Sequence, residues 1–506
     1  MVFAAVLPGS AGLAALPASS LIMLGVLVAV ASIFAFRVME NAFRGSAPPI
    51  DEGIPFIGGL LKFSKGPLTL LTEMYAKHGE VFTVPLLHKK MTFLLGPHAS
   101  PHFFSATDDK MSQDEVYAFN VPTFGPGVVY DVDQKVRVEQ FRFVADSLKT
   151  ARLKSYVAAF QQEAEDFFGK WGESGVVDLG SELSELIILT ASRTLMGREV
   201  RESMFREVAS LYHDLDDGMR PLSVLFPYLP TAYHRKRDAS RRALQRIFSS
   251  VIQARRASGA REDDILQALI DARYKNVYGG RATTDEEITG LLIALLFAGQ
   301  HTSSVTSTWT GLFLLQNAKD VRSEAAPGPA YLDAILQEQK DCVVAHGSEL
   351  TFDVLNGMDR LHRAITEALR INPPLVLLMR YARESFDVTD SAGRTYTVPK
   401  GHMCAVSPTF GHRLQNVFRS PLDFQPERFD APREEDKAKP YSFIGFGGGR
   451  HGCMGSQFAY LQIKTIWSTI LRNFELEIVD PFPEPDYQSM VIGPKPCRVR
   501  YTRRKL

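Results

Sequence analysis

Near the carboxyl end of this 506-residue chain, Phe443 to Gly455 reads FIGFGGGRHGCMG. A glycine-rich turn leads into Cys453, and GSQFAYLQIKTIWSTILRNF after it has the pattern of a helix. Backbone N–H groups and the positive end of a helix dipole stabilise a thiolate in such a place. A thiolate can ligate iron, and trans to oxygen it pushes electron density onto the metal and favours O–O cleavage. The glycines suit a backbone that must turn tightly and lie against a flat macrocycle. The same run satisfies G-x-G-x-x-G at Gly447, Gly449 and Gly452, a dinucleotide fingerprint. That fingerprint normally opens a βαβ unit, and too little chain follows here to build one, so the sulfur reading is preferred. The other cysteines, Cys342, Cys404 and Cys497, form no Cys-x-x-Cys pair, which argues against a zinc knuckle and against thioether-linked haem. Four scattered thiols suggest a reducing compartment.

Long elements have to carry such a site. Thr284 and Glu287 form a capping box, with Asp285 and Glu286 at the positive end of the dipole. From Ile288 to Asn317 the helix runs on without proline, and its only titratable side chain is His301. At 1.5 Å per residue it spans roughly 45 Å, and being apolar nearly all round it is expected to be buried. A second transmembrane helix is the competing reading. The polar run Gly299 to Ser304 in its middle argues instead for a bend or opening where a ligand or water sits. Glu367 and Arg370, in EALR, lie on one helical face, a spacing that serves equally for a surface ion pair. Glu80 to Gly96 reads as a hairpin, and Ser391 to Pro408 alternates as short strands do. No repeat or second linker divides the chain, so one mostly helical body with small peripheral sheets is expected.

From Val2 to Phe36 there is no charge, and Leu21 to Phe36 is almost unbroken hydrocarbon. With part of the preceding stretch it supplies the roughly 20 residues a bilayer-spanning helix needs. Arg37 and Arg44 bias the following side toward the cytosol. Gly45 to Gly59, rich in Pro and Gly, reads as a stiff hinge that uncouples this anchor from the body. Lys+Arg and Asp+Glu both total 57, so no net field attracts a nucleic acid.

FGGGRHGCMG resembles the haem-binding loop of the cytochrome P-450 superfamily, with Phe446, Gly449, Cys453 and Gly455 at that motif's spacing. EALR, the PERF element with Arg428, and AGQHTS on the long helix follow the same superfamily's pattern in the same order. His301 before Thr302, and Glu115 to Asp133 (EVYAFNVPTFGPGVVYDVD), are similar to the sterol 14α-demethylase family. Trp171 to Leu179, and Gly452 after His451, place the likeness nearest the plant and green-algal obtusifoliol 14α-demethylases. The stretch Asn317 to Ala330 looks longer and richer in Pro than such a relative would carry, and reads as a surface loop.

The resemblance implies a cytochrome P-450 fold, mainly α with small β-sheets, preceded by an N-terminal transmembrane helix. It divides the chain into an anchor and linker, 1–46, and a haem-thiolate monooxygenase domain, 47–506. It implies haem b with Cys453 as the axial ligand to iron, and Tyr117, Tyr130, Arg380 and His451 on its propionates. Phe446 and Gly449 belong to the haem-binding loop, while Arg137 and Arg142 are both candidates for a further basic contact. Thr302 and His301 would relay protons, and Glu367, Arg370 and Arg428 would form a buried structural set. Phe119, Phe124, Phe297, Ala298 and Leu377 would line a sterol cavity, Phe119 favouring an obtusifoliol-like 4-monomethyl substrate. The activity implied is three successive oxidations that remove the 14α-methyl group, with electrons from NADPH through a separate flavoprotein reductase. A monomer in the endoplasmic reticulum membrane, its catalytic domain cytosolic, is expected. Pro221 to Pro230 is a candidate for dipping into the bilayer. A related haem monooxygenase acting on another triterpenoid is the alternative, followed by a haem carrier without turnover.

Overall fold

A computed structural model of the chain describes residues 18–51, 58–86, 89–317, 331–487 and 489–504. The long helices are α1 Ala18–Ala42, α2 Gln134–Ser147, α3 Thr150–Phe168, α4 Leu179–Ala191, α5 Phe205–Asp217, α6 Ala232–Ser258, α7 Asp285–Asn317, α8 Tyr331–His346, α9 Asp359–Ile371 and α10 Ser456–Asn473. Strands β1 Val81–Leu86 and β2 Lys89–Leu94 form the expected hairpin. Further strands are β3 Met111–Ser112, β4 Ser174–Asp178, β5 Leu378–Ala382, β6 Phe386–Thr389, β7 Thr395–Val398, β8 Met403–Val406, β9 Phe474–Ile478 and β10 Arg498–Arg503. They make a five-stranded sheet in the order β1-β2-β8-β5-β3, a three-stranded sheet β4-β10-β9 and the ribbon β6-β7. In the largest sheet only β2 and β8 run parallel.

The axis of the body is α7. Its capping box closes as the sequence predicts, with Thr284 N donating to Glu287 Oε2 at 2.8 Å and Glu287 N to Thr284 Oγ1 at 3.2 Å. Twenty-one of its 33 residues are buried, among α4, α6, α9 and α10. It is therefore the core helix of the body and no second membrane span. Trp467 of α10 donates its indole N–H to Ser307 O at 3.0 Å, and a Cβ on Gly311 would come within 2.1 Å of that indole. Glycine at 311 thus lets two buried helices meet through a tryptophan.

The polar run in α7 does not break it. Thr302 Oγ1 donates to Ala298 O at 2.7 Å, Ser304 Oγ to His301 O at 3.1 Å and Thr306 Oγ1 to Thr302 O at 2.7 Å. The hydroxyls meet their needs on the helix's own carbonyls, so no opening is required. What distinguishes this stretch is accessibility: Ala298 is exposed, and Phe297, Gly299, His301 and Thr302 are half-buried, in a helix otherwise largely enclosed.

The amino-terminal α1 presents Ile22 and Met23, 69% and 65% exposed, and its apolar core covers Ser19–Ser32. The expected hinge is not free along its length. Thr397 N donates to Ser46 O at 2.8 Å, Thr83 N to Pro49 O at 2.8 Å and Asp51 N to Thr83 O at 2.9 Å, so residues 46–51 are strapped to the sheets. Extended Pro-rich backbone suits an edge position, which explains the departure from a loose hinge. Residues 52–57 of the hinge and the loop 318–330 lie outside the described residues, and Gly58 and Gly59 open a short helix.

Gly311→Ala should force Trp467 out of place. Overpacking of this kind costs about 1–3 kcal/mol, read as a lower thermal unfolding midpoint. An unchanged midpoint would mean that α10 is not seated on α7 through this contact.

Candidate active site around Cys453

The loop before Cys453 is a series of closed turns. Gly447 N donates to Ile444 O at 2.9 Å, Gly452 N to Gly449 O at 3.2 Å, and Cys453 N to Phe446 O at 2.9 Å. The Phe446 ring lies 5.3 Å from that of Tyr460 on α10. Gly449 adopts φ 62°, and a Cβ there would sit 2.2 Å from the carbonyl oxygen of Phe104. Both conformation and clearance demand glycine at 449. No strand leads directly into this run among the described residues, which removes the dinucleotide reading. Cys453 is exposed, whereas Cys404 and Cys497 are buried and Cys342 is half-buried. The surrounding protein pushes the Cys453 thiol up, while the Gly455 amide draws it down less strongly. Burial thus opposes the helix terminus at Cys453, and coordination to a metal would supply what favours the thiolate.

Under this loop lies a buried ionic set. Arg370 Nε and Nη2 donate to the two Glu367 oxygens at 2.7 and 2.9 Å, and Arg428 Nε donates to Glu367 Oε1 at 2.9 Å. All three side chains are fully buried, which excludes the surface ion pair. Arg428 also donates to Glu435 at 2.6 Å, and Arg370 to the carbonyls of His412 and Pro421 at 2.9 and 2.8 Å. His412, which the sequence did not single out, completes the link. Its Nδ1 is 3.1 Å from Arg370 O, its Nε2 accepts from Ile444 N at 2.8 Å, and its ring stacks on Phe443. Burial and the neighbouring arginines push His412 down to about 3, so the ring is neutral, with Nδ1 as donor and Nε2 as acceptor.

Basic and phenolic groups converge beside the loop. His451 Nε2 lies 2.6 Å from Asp108 Oδ1. Burial lowers His451, with the Asp108 hydrogen bond opposing it. For Asp108, burial raises the carboxyl, but the bond and charge of His451 and the charge of Arg137 outweigh it and hold it low. Arg380, 1% exposed, donates to Phe103 O at 2.5 Å and lies over the Phe103 ring. Arg137, 2% exposed, pairs with Asp114. Arg380 Nε and Arg137 Nη2 have no hydrogen-bond partner among the described residues. Arg142 instead pairs with Glu139 and donates to Arg273 O at 2.9 Å, away from this group. Tyr117 accepts from Met379 N at 3.3 Å and stacks on Tyr130 at 5.5 Å. Burial raises both phenols, leaving them neutral donors.

An aromatic wall continues from there. Ring centroids step from Phe119 to Tyr117 at 6.2 Å, from Tyr130 to Phe124 at 6.3 Å, from Phe124 to Phe297 at 6.0 Å and from Phe297 to Tyr212 at 4.7 Å. The expected lining residues Phe119, Phe124 and Phe297 thus belong to one surface beside exposed Ala298. Leu377 packs against a separate cluster near β1 and β2, one residue before β5. Tyr212 and Asp216, both on α5, were not anticipated; His301 Nε2 lies 3.1 Å from Asp216 Oδ1. Nothing in YHDLDDG marks which acid faces α7, because that depends on how two distant helices pack. A cavity of ≈ 440 Å³ also opens between α4, Gln300, Thr308 and residues 494–497, apart from these groups.

A helical body whose one accessible cysteine closes a glycine loop over a buried Glu–Arg–Arg set defines a class of haem-thiolate protein. Residues 48–501 match the family described as Cytochrome P450, and the chain belongs to that family. It is 53% identical to the Sterol 14-demethylase of Arabidopsis thaliana, over 96% of this chain and 98% of that one. It is 51% identical to the Obtusifoliol 14-alpha demethylase of Sorghum bicolor, over 98% and 99%. It is 39% identical to the Lanosterol 14-alpha demethylase of Bos taurus, over 96% and 95%. The retinoic acid-bound cyanobacterial CYP120A1 has the same fold, with a TM-score of 0.76 at 21% identity over 90% and 99%. The residues present fit a haem: the thiol is accessible, the loop leaves no room for side chains at 449, and two buried guanidinium groups have N–H to spare for carboxylates.

Glu367→Ala would leave Arg370 and Arg428 buried without their shared carboxylate. Removing one partner from such a set costs about 3–5 kcal/mol. Loss of soluble, haem-containing protein is the expected result, and normal haem content in this variant would contradict the role assigned to the set.

Proposed function

We propose that this enzyme is a sterol 14α-demethylase, a haem-thiolate monooxygenase that removes the 14α-methyl group of an obtusifoliol-like sterol by three successive oxidations. The observation that carries the reading is identity above 50% along nearly the whole chain to plant proteins named for that reaction. Phe119, buried in the aromatic wall, agrees with a 4-monomethyl sterol.

The haem, when bound through Cys453, supplies the oxygen-activating chemistry. The chain's own residues do the rest. Arg380, Arg137, His451, Tyr117 and Tyr130 would hold the propionates, the arginines as charged donors and the tyrosines as neutral ones. Of the two candidates for the additional basic contact, Arg137 is the one whose charge acts on Asp108 and His451, while Arg142 is engaged with Glu139 and Arg273. The ring wall from Phe119 to Tyr212 excludes water and offers a flat apolar face to a sterol. Asp216 faces His301 Nε2 at 3.1 Å and so orients the imidazole, which with the Thr302 hydroxyl would relay protons from the α5 side. Electrons come from an NADPH-dependent flavoprotein reductase.

The anchor reading rests on α1 and its exposed apolar side chains, with the catalytic body on the cytosolic face of the endoplasmic reticulum. Phe226 and Tyr228, 48% and 71% exposed, give the 221–230 segment an apolar surface suited to the same membrane. A substrate dissolved in the bilayer would then meet the enzyme where it resides.

Titration of the holoprotein with obtusifoliol should shift the Soret band toward high-spin iron, and turnover with reductase should yield the 14-demethylated diene. A thiolate-type carbon monoxide spectrum without any sterol response would move the function to another triterpenoid. Asp216→Asn should lower turnover by about 10²-fold, the contribution of a positioned proton donor, and leave the spin shift unchanged. Equal loss of substrate binding would mean that Asp216 shapes the cavity instead.

A further inference from the structure

One turn of the aromatic wall is held in a conformation its sequence does not favour. Val129 adopts φ 50°, the left-handed region in which a β-branched residue is an outlier. The residue after it is Tyr130. Gly127 precedes it at φ 77°, and its N–H donates to Asp131 Oδ2 at 2.9 Å, a bond that closes the turn but leaves Val129 N and Gly127 O unmet within it.

The group that meets Val129 N and Gly127 O lies on another element. Gln140 of α2 is fully buried. Its Oε1 accepts from Val129 N at 2.9 Å, and its Nε2 donates to Gly127 O at 2.9 Å. A reversed amide would set oxygen against oxygen and N–H against N–H, so one orientation satisfies the site. Nε2 also donates to the Tyr274 hydroxyl at 3.2 Å, which in turn donates to Glu287 Oε1 at 2.9 Å. Glu287 is the capping residue of α7 and is gripped by Arg281 at 2.8 Å through both oxygens. An amide that touches no part of the site thus joins the Tyr130 turn to the cap of the helix bearing His301 and Thr302.

We propose that Gln140 is the positioning residue for Tyr130: its amide holds the Gly127–Val129 turn in the left-handed conformation that aims the phenol into the site. This rests on the reading of Tyr130 as a haem propionate contact. Replacing the amide by a side chain of similar size without hydrogen bonds would let Val129 relax toward negative φ, and the ring would swing off Tyr117 and Phe124.

The test uses the full-length holoprotein and follows haem loss to an excess of apomyoglobin, with the carbon monoxide spectrum as a check on the fold. Tyr130→Phe and Gln140→Met should each speed haem loss by about fivefold, the worth of one hydrogen bond, and the double variant should be no faster than either. Adding Val129→Gly to Gln140→Met should restore most of the loss, because glycine reaches this φ without the clamp. A merely structural role predicts the opposite, since Val129→Gly removes buried apolar surface and would worsen it. If Tyr130→Phe accelerates haem loss and Gln140→Met does not, or if their effects add, the positioning role is overturned while the Tyr130 contact stands. If Tyr130→Phe has no effect, the contact itself falls and the proposal with it. Should Gln140→Met fail to accumulate, Gln140→Asn, one methylene shorter, withdraws the amide from both Val129 N and Gly127 O, and the same rescue by Val129→Gly decides.

Discussion

Glu367 places one carboxylate between two guanidinium groups where no water reaches any of the three. Charges in such a place are tolerable only if nearly every donor is satisfied, and here Arg370 and Arg428 are completed by main-chain carbonyls at His412, Pro421 and Arg419 and by Glu435. Those carbonyls belong to an irregular segment with little regular secondary structure to brace it. The ionic set therefore does for this segment what a hydrogen-bonded ladder does for a strand. Through His412 the order passes to Ile444 and so to the first turn of the loop that ends at Cys453. Weakening any member loosens the path to the sulfur, although none of them comes near the reacting atoms.

The long core helix serves the site in a different way. Its hydroxyls bond back to its own carbonyls, so α7 crosses the body unbroken while leaving Ala298 and its neighbours accessible. A continuous helix fixes the position of each residue along it to within the rise of 1.5 Å, which a loop could not do. His301 and Thr302 are thereby set relative to the cap at Glu287, and the cap is in turn tied to the wall through Tyr274.

The parts legible in the sequence were those written in local pattern. The capping box of α7, the hairpin of β1 and β2, and the glycine loop with its cysteine depend on residues within a few positions of one another. Glu367, Arg370 and Arg428 were readable because a superfamily motif marks them; their spacing alone served a surface pair equally well. His412, Asp108, Asp216 and Gln140 went unseen, as each owes its role to a partner on another element. The choice between Arg137 and Arg142 had the same origin, since one α2 face points into the site and the other toward Glu139 and Arg273. The strap at 46–51 was misjudged because Pro and Gly content describes stiffness but not docking.

That strap limits the freedom of the whole enzyme. Between the end of α1 at Ala42 and the first pinned residue, Ser46, only three residues intervene. Three residues reach about 10 Å when fully extended. If α1 sits in a bilayer, as proposed, the body could not wander or roll far; it would ride close to the surface with a restricted set of faces turned down. Encounters with a sterol dissolved in that bilayer, and with an electron donor held at it, would then become searches in two dimensions among partners already half oriented.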